Sequence, residues 1–194
     1  MSPVIDGTDP AAEFREVGGR FGEVVGGVAD DGWDAPAPVE GWVARDVVGH
    51  LVDWFPGFLA GGSDVVLPPV PPVEDDPVAA WESFAGSVQA LLDDPATAGR
   101  SFSNPHTGAM PLPQAVSQFF VADVFMHTWD LAVATGQDPT LDAGRCEAMV
   151  EGMAPIDDLL RSSGQYGARV PVPDDADPQS RLLGFIGRDP SWRP

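Results

Sequence analysis

Two side chains that can share a proton or a metal ion lie four residues apart, at Asp123 and His127. On an α-helix, residues at this spacing project from the same face, so the carboxylate and the imidazole lie one turn apart. Burying both groups without partners costs free energy, which leaves two alternatives. Either they hydrogen-bond each other or another polar group, or they are two ligands of one divalent metal ion, at about 2.0–2.2 Å.

A second histidine, His50, lies at the edge of an apolar stripe with helical spacing that includes Val43 and Val47. A buried, hydrogen-bonded histidine and a metal ligand are both consistent with this position. If the helix that carries His50 packs beside the helix that carries Asp123 and His127, the three side chains converge. Two imidazoles and one carboxylate leave one coordination position open, which is typical of catalytic rather than structural zinc.

Several neighbouring residues are secondary candidates. Asp130, three residues after His127, either accepts a hydrogen bond from the second ring nitrogen of that histidine or faces solvent. His106 lies in a proline-rich segment, as an exposed loop residue or a contact to substrate. Trp54, His106 and Trp129 are the candidate substrate-binding residues, with a place in the core as the alternative for both tryptophans. No residue is assigned as a general acid or base.

Helical periodicity predicts the elements that must position these residues. Asp-Pro pairs beginning at Asp9, Asp76 and Asp177 mark three helix starts, because aspartate caps free N–H groups and proline suits the first helical position. The segment 101–113 is predicted to be a loop that can hold a short strand pair, and 168–173 is predicted to be extended. The predicted helices run over about residues 10–28, 44–59, 77–92, 113–135, 142–162 and 178–187.

Composition limits the class of protein. The chain has 194 residues, of which 43% are apolar, and we expect residues 1–194 to form a single domain. The formal net charge of −20 repels phosphate, which argues against nucleic acid and anionic membrane as partners. The single cysteine, Cys146, is expected to be buried and cannot form an intrachain disulfide. With no apparent signal peptide or membrane span, we expect a soluble, cytoplasmic protein.

Two segments resemble the signature regions of DinB-like metal-binding proteins: residues 40–52 (EGWVARDVVGHLV) and 123–136 (DVFMHTWDLAVATG). The most similar branch is that of the mycothiol-dependent maleylpyruvate isomerase N-terminal domain. The run 170–190 is similar to the tail of a small, uncharacterised subgroup of that branch. The resemblance covers about residues 10–192 and implies an all-α fold, a four-helix bundle with an additional short C-terminal helix and long loops.

The resemblance also implies a metal site between the helices, with His50, Asp123 and His127 as its ligands. It implies a divalent ion there, zinc first and nickel as the alternative. The isomerase branch has glutamate where this chain has Asp123, and aspartate is shorter by one methylene, about 1.5 Å.

By resemblance, the protein is a thiol-dependent metalloenzyme that acts on a small electrophilic substrate by transfer or isomerisation. Mycothiol or a similar low-molecular-weight thiol is the implied co-substrate, and the chain is expected to be a monomer or homodimer. One alternative, favoured by the shorter side chain of Asp123, is a non-catalytic DinB-like binding protein with a vestigial or empty metal site. Another is a metal-dependent hydrolase with water at the open position.

Overall fold

The computed structural model describes residues 9–105, 107–162, 164 and 166–194, and helices dominate this part of the chain. Strands β1 (Ser101–Asn104) and β2 (Gly108–Pro111) form one short antiparallel hairpin. The all-α fold class is therefore confirmed. The helices are α1 (Pro10–Gly26), α2 (Ala44–Gly62), α3 (Pro77–Asp93), α4 (Leu112–Ala115), α5 (Ala122–Ala134), α6 (Ala143–Met153), α7 (Asp157–Ser162) and α8 (Pro178–Ile186).

Aspartates begin the helices as the sequence predicts. The side chains of Asp9, Asp76 and Asp177 each accept a hydrogen bond from a backbone N–H in the first turn of α1, α3 and α8. Proline occupies the first position of all three helices, where a missing N–H removes no helical hydrogen bond. Part of the acidity of the chain therefore stabilises helix ends.

Four helices form the bundle that carries the candidate site. Helix α1 packs against α3 and α5, and α2 packs against the same two helices. Aromatic rings fill the centre, where Phe120 stacks on Phe55 at 4.1 Å and meets Phe84 edge-on at 5.6 Å between ring centroids. All three rings are buried. This packing fixes the distance between α2, which carries His50, and the segment that leads into α5.

Two of the predicted helices are interrupted. The helix expected over 113–135 contains a π-helical turn at Val116–Val121 (the π turn), where the Ala122 N–H reaches back five residues to the Ser117 carbonyl. Such turns are frequent at functional sites, and this one directly precedes Asp123. The helix expected over 142–162 breaks into a 3-10 turn at Ala154–Ile156, because Pro155 has no N–H to donate.

The C-terminal segment folds back onto the bundle. Helix α8 packs against α6 and ends at Gly187, whose φ of 86° is in the left-handed region that favours glycine. The preceding extended segment forms no strand within the described residues; instead the Val170 N–H donates to the Gly184 carbonyl. Within the same part of the chain, none of the helices combines the length and apolarity that a membrane crossing requires.

Gly62 tests the packing of the hairpin against α2. A Cβ at Gly62 would overlap the buried Phe102 ring, which is held by stacking on Phe58 at 4.5 Å. Gly62→Ala is expected to destabilise the protein by about 1–3 kcal/mol, the usual cost of overpacking. Gly61→Ala is the matched control: no atom lies within 4 Å of its added Cβ, so stability should hold or rise slightly. Urea denaturation measures both, and equal losses would contradict the packing.

Candidate metal centre

His50, Asp123 and His127 converge between α2 and α5. One potential ligand atom from each side chain lies within 4.8 Å of the other two. The His50 Nε2 atom is 3.1 Å from Asp123 Oδ2, and the His127 Nε2 atom is 3.5 Å from Asp123 Oδ1. The carboxylate of Asp123 therefore reaches both imidazoles, although it is one methylene shorter than the glutamate of the isomerase branch.

Two tryptophans enclose the three side chains. The Trp54 indole N–H donates to Asp123 Oδ2 at 2.9 Å, so Trp54 touches a ligand candidate directly. Trp54 follows His50 by four residues on α2, and this spacing places the two side chains on one face. The Trp42 ring stacks on His127, with 5.9 Å between ring centroids, and lies 5.2 Å from the His50 ring. The tryptophans restrict how far the imidazoles and the carboxylate can move.

A second carboxylate fixes the orientation of His127. Asp130 Oδ2 lies 2.9 Å from His127 Nδ1, and the Asp130 side chain is 1% exposed. Arg188, which follows α8, donates to both oxygens of Asp130, from Nε at 2.9 Å and from an Nη atom at 3.0 Å. A proton on Nδ1 of His127 satisfies this arrangement and leaves Nε2 to face Asp123 and His50. The four groups form a row in the order Arg188, Asp130, His127, Asp123.

Burial and charge act in opposite directions on this row. Burial would raise the pKa of Asp123, but the charges of His127 and His50 and the Trp54 hydrogen bond hold it below its usual value. Burial would lower the pKa of His127, but Asp123 and Asp130 raise it above its usual value. The pKa of Asp130 is lowered against the effect of burial by His127 and Arg188. Asp123 and Asp130 therefore stay ionised at neutral pH. A proton or another cation is favoured between His127 and Asp123.

These residues fit a divalent metal ion. Nitrogen and oxygen ligands at about 2.0–2.2 Å from one tetrahedral ion lie about 3.4 Å apart. The two oxygens of Asp123 lie 3.1 Å from His50 and 3.5 Å from His127, and one atom from each residue lies within 4.8 Å of the others, so a small inward shift of the side chains completes the site. The Nε2 lone pair of a His127 that is protonated on Nδ1 faces a carboxylate, and a cation between them removes that repulsion. Imidazole and carboxylate are ligands that several divalent transition metals accept, zinc among them.

A cleft is lined by residues of α1, α6 and the π turn (the α1–α6 cleft). Its volume is about 420 Å³, within the range of small-molecule sites. Ala122, the residue before Asp123, lines it together with Phe119 and Tyr166. Burial and the nearby charge of Asp123 raise the pKa of Tyr166 to about 12, so its hydroxyl stays protonated at neutral pH. None of the three ligand candidates lines the cleft, and Ala122 and Tyr166 connect it to Asp123.

The sequence profile of the mycothiol maleylpyruvate isomerase N-terminal domain matches residues 14–132, more than half of the chain. The chain belongs to this family. Two uncharacterized proteins from two strains of Mycobacterium tuberculosis are each 26% identical to it over 186 residues, which cover 93% of this chain and 98% of each relative. No solved structure matches the chain.

Membership in the mycothiol maleylpyruvate isomerase N-terminal domain family confirms the resemblance inferred from residues 40–52 and 123–136. The matched region contains His50, Asp123 and His127. It ends before α6, which forms one wall of the cleft, and before Arg188, the partner of Asp130.

The other sequence candidates lie in different places. Trp129 is buried in the apolar core and is absent from the described ring contacts around the triad. His106 lies outside the described residues. Local spacing in the sequence does not indicate the site contacts of Trp42, Tyr166 and Arg188. Arg188 gives no local signal, because 58 residues separate it from Asp130.

Arg188 supports Asp130 in a way that stability can measure. Arg188→Met leaves the buried Asp130 carboxylate without its bidentate partner and is expected to cost about 3 kcal/mol of unfolding free energy. Arg181→Met is the matched control on α8, since its ion pair with Glu147 is largely exposed and should contribute under about 1 kcal/mol. Guanidinium denaturation compares the variants. Equal stabilities would mean that the Asp130–Arg188 pair does not form in solution.

Cys146 is expected to be chemically silent in the native protein. It is fully buried, and burial together with Asp142 and Asp177 raises the pKa of its thiol to about 12. About one thiol in ten thousand is then ionised at pH 8. Ellman's reagent should therefore leave the native protein unlabelled for minutes at pH 8 and titrate one thiol after unfolding in guanidinium. Rapid labelling of native protein would show that Cys146 is an accessible thiolate.

Proposed function

We propose that the protein is a divalent-metal enzyme, with zinc first and nickel as the alternative, that uses mycothiol or a similar low-molecular-weight thiol. The thiol acts on a small electrophilic substrate by transfer or isomerisation. The observation that carries the proposal is the convergence of His50, Asp123 and His127 in a family whose description names mycothiol. The fit of these three side chains to one ion supports them as the ligands.

The charge of the ligand set favours an anionic fourth ligand. The Asp130 charge is balanced by Arg188, so Asp123 is the carboxylate that remains to balance a cation held by the three side chains. Two neutral imidazoles and one carboxylate leave a divalent cation with one net positive charge. A thiolate co-substrate would balance that charge.

The thiol must come from a second molecule. Cys146 is the single cysteine of the chain, it is fully buried, and its raised pKa keeps it protonated. This supports a free thiol as co-substrate, and a reducing compartment such as the cytoplasm suits such a protein.

The side chains of the site have separate roles in this proposal. His50, Asp123 and His127 hold the ion, Asp130 and Arg188 orient His127, and Trp54 orients Asp123. When bound, a divalent metal lowers the pKa of a thiol and favours the nucleophilic thiolate. The sulfur forms a C–S bond with an electrophilic carbon. In a transfer the leaving group departs with the electron pair of its broken bond. In an isomerisation the π bond of the substrate breaks as the C–S bond forms, its electron pair moves onto the electron-withdrawing group, and the double bond re-forms when the thiolate leaves.

Metal uptake tests the ligand set first. Metal-free protein titrated with Zn²⁺ against a chromophoric chelator is expected to bind one equivalent per chain. His50→Ala should weaken binding by at least about tenfold, because one of three protein ligands is lost. Asp53→Ala is the matched control, since it removes an exposed carboxylate on the same helix that is not part of the triad and should leave zinc binding unchanged.

Turnover then separates the proposal from its two alternatives. Loss of 1-chloro-2,4-dinitrobenzene should be accelerated by zinc-loaded protein with mycothiol, and the acceleration should disappear without thiol and in His50→Ala. Zinc uptake with thiol-independent hydrolysis would favour the metal-dependent hydrolase. Failure of the wild-type chain to bind zinc or nickel would favour a non-catalytic protein with a vestigial site.

A further inference from the structure

Part of the lining of the α1–α6 cleft is apolar and adaptable. Met149 and Met153 of α6 line it, followed by Ile156 and Leu160. Methionine side chains are flexible and polarisable, so they fit apolar ligands of varied shape. The cleft can therefore bury the apolar part of a small molecule, and Ala122 and Tyr166 connect it to Asp123.

The charged residues of the cleft offer little to an anion. Arg145 is its one cation among the described lining residues, and Arg145 already donates to the buried Glu13 carboxylate at 2.5 Å. Ser117 donates its hydroxyl proton to the other oxygen of Glu13, and the Phe125 ring lies 5.5 Å from the Arg145 guanidinium. With Glu151 the lining has two carboxylates and one guanidinium, which sum to a net charge of −1.

A carboxylate entering this cleft would lose its hydration without gaining a free counter-charge. Such desolvation costs several kcal/mol unless a cation compensates it. An uncharged apolar group meets no such penalty and gains from burial. We propose that the α1–α6 cleft binds the uncharged, apolar part of the electrophilic substrate, and that the Glu13–Arg145 pair excludes substrates that place a carboxylate there.

This inference rests on the proposed function for the identity of the ligand as a substrate, but binding in the cleft is measurable without any reaction. Naphthalene-2-carboxamide and 2-naphthoate are a suitable pair of unreactive probes, since they match in shape and differ in charge. Calorimetric titration of the full-length protein, with and without one equivalent of Zn²⁺, separates binding in the cleft from coordination of the carboxylate by the ion. Without zinc, the amide is expected to bind at least about tenfold more tightly than the carboxylate.

Two substitutions test why the carboxylate is rejected. Glu13→Gln removes a negative charge and frees Arg145, so 2-naphthoate should bind about tenfold more tightly than to the wild type. Glu151→Gln removes the same charge from the same cleft but leaves Arg145 paired, and it should change naphthoate binding by less than about threefold. Met149→Trp, which fills the cleft, should abolish amide binding and so locate the probe.

The wild-type comparison stands even if Glu13→Gln fails to fold. The inference is overturned if the two probes bind the wild type equally, if neither binds, or if Met149→Trp leaves amide binding intact. Equal gains in Glu13→Gln and Glu151→Gln would overturn the specific role of the Glu13–Arg145 pair. Absence of thiol-dependent turnover with the amide preference intact would count against the proposed reaction alone.

Discussion

A row of buried charges constrains the rest of the structure. Positive and negative side chains alternate along this row, in the order Arg188, Asp130, His127 and Asp123. The Asp130 side chain is 1% exposed. A carboxylate at that depth is stable only with full compensation, which the Arg188 guanidinium supplies at both oxygens. The C-terminal segment must therefore dock on the bundle, and His127 must keep the ring orientation that Asp130 accepts. The geometry of the candidate metal centre therefore depends on the ion pair between Asp130 and Arg188.

Local periodicity predicted the parts of the structure that depend on neighbouring residues. Asp123 and His127 share a face because α5 is a regular helix between them, and the aspartates of the Asp-Pro pairs cap helices through bonds that span two or three residues. The convergence of His50 with this pair needs the packing of α2 against α5. No local pattern contains that packing, and the resemblance to a known family supplied it.

The remaining features lacked any sequence signal of that kind. The π turn differs from an α-helix by one hydrogen-bond step, and the residues 116–121 continue the apolar pattern of the helix around them. Arg188 and Asp130 are far apart in sequence, and either could have paired with another charged residue. Trp54 is the exception. Its spacing of four residues from His50 predicts that the two side chains share a helix face, but no local pattern predicts its hydrogen bond to Asp123.

Arg188 also gives the candidate site a biosynthetic order. The three ligand candidates and Asp130 are translated before α6, α7 and α8, and Arg188 follows Asp130 by 58 residues. A nascent chain that has released α5 from the ribosome carries Asp130 with no arginine to balance it. Asp130 gains its counter-charge only when the residue after α8 has emerged, so the candidate site depends on a segment that is made well after its own ligands.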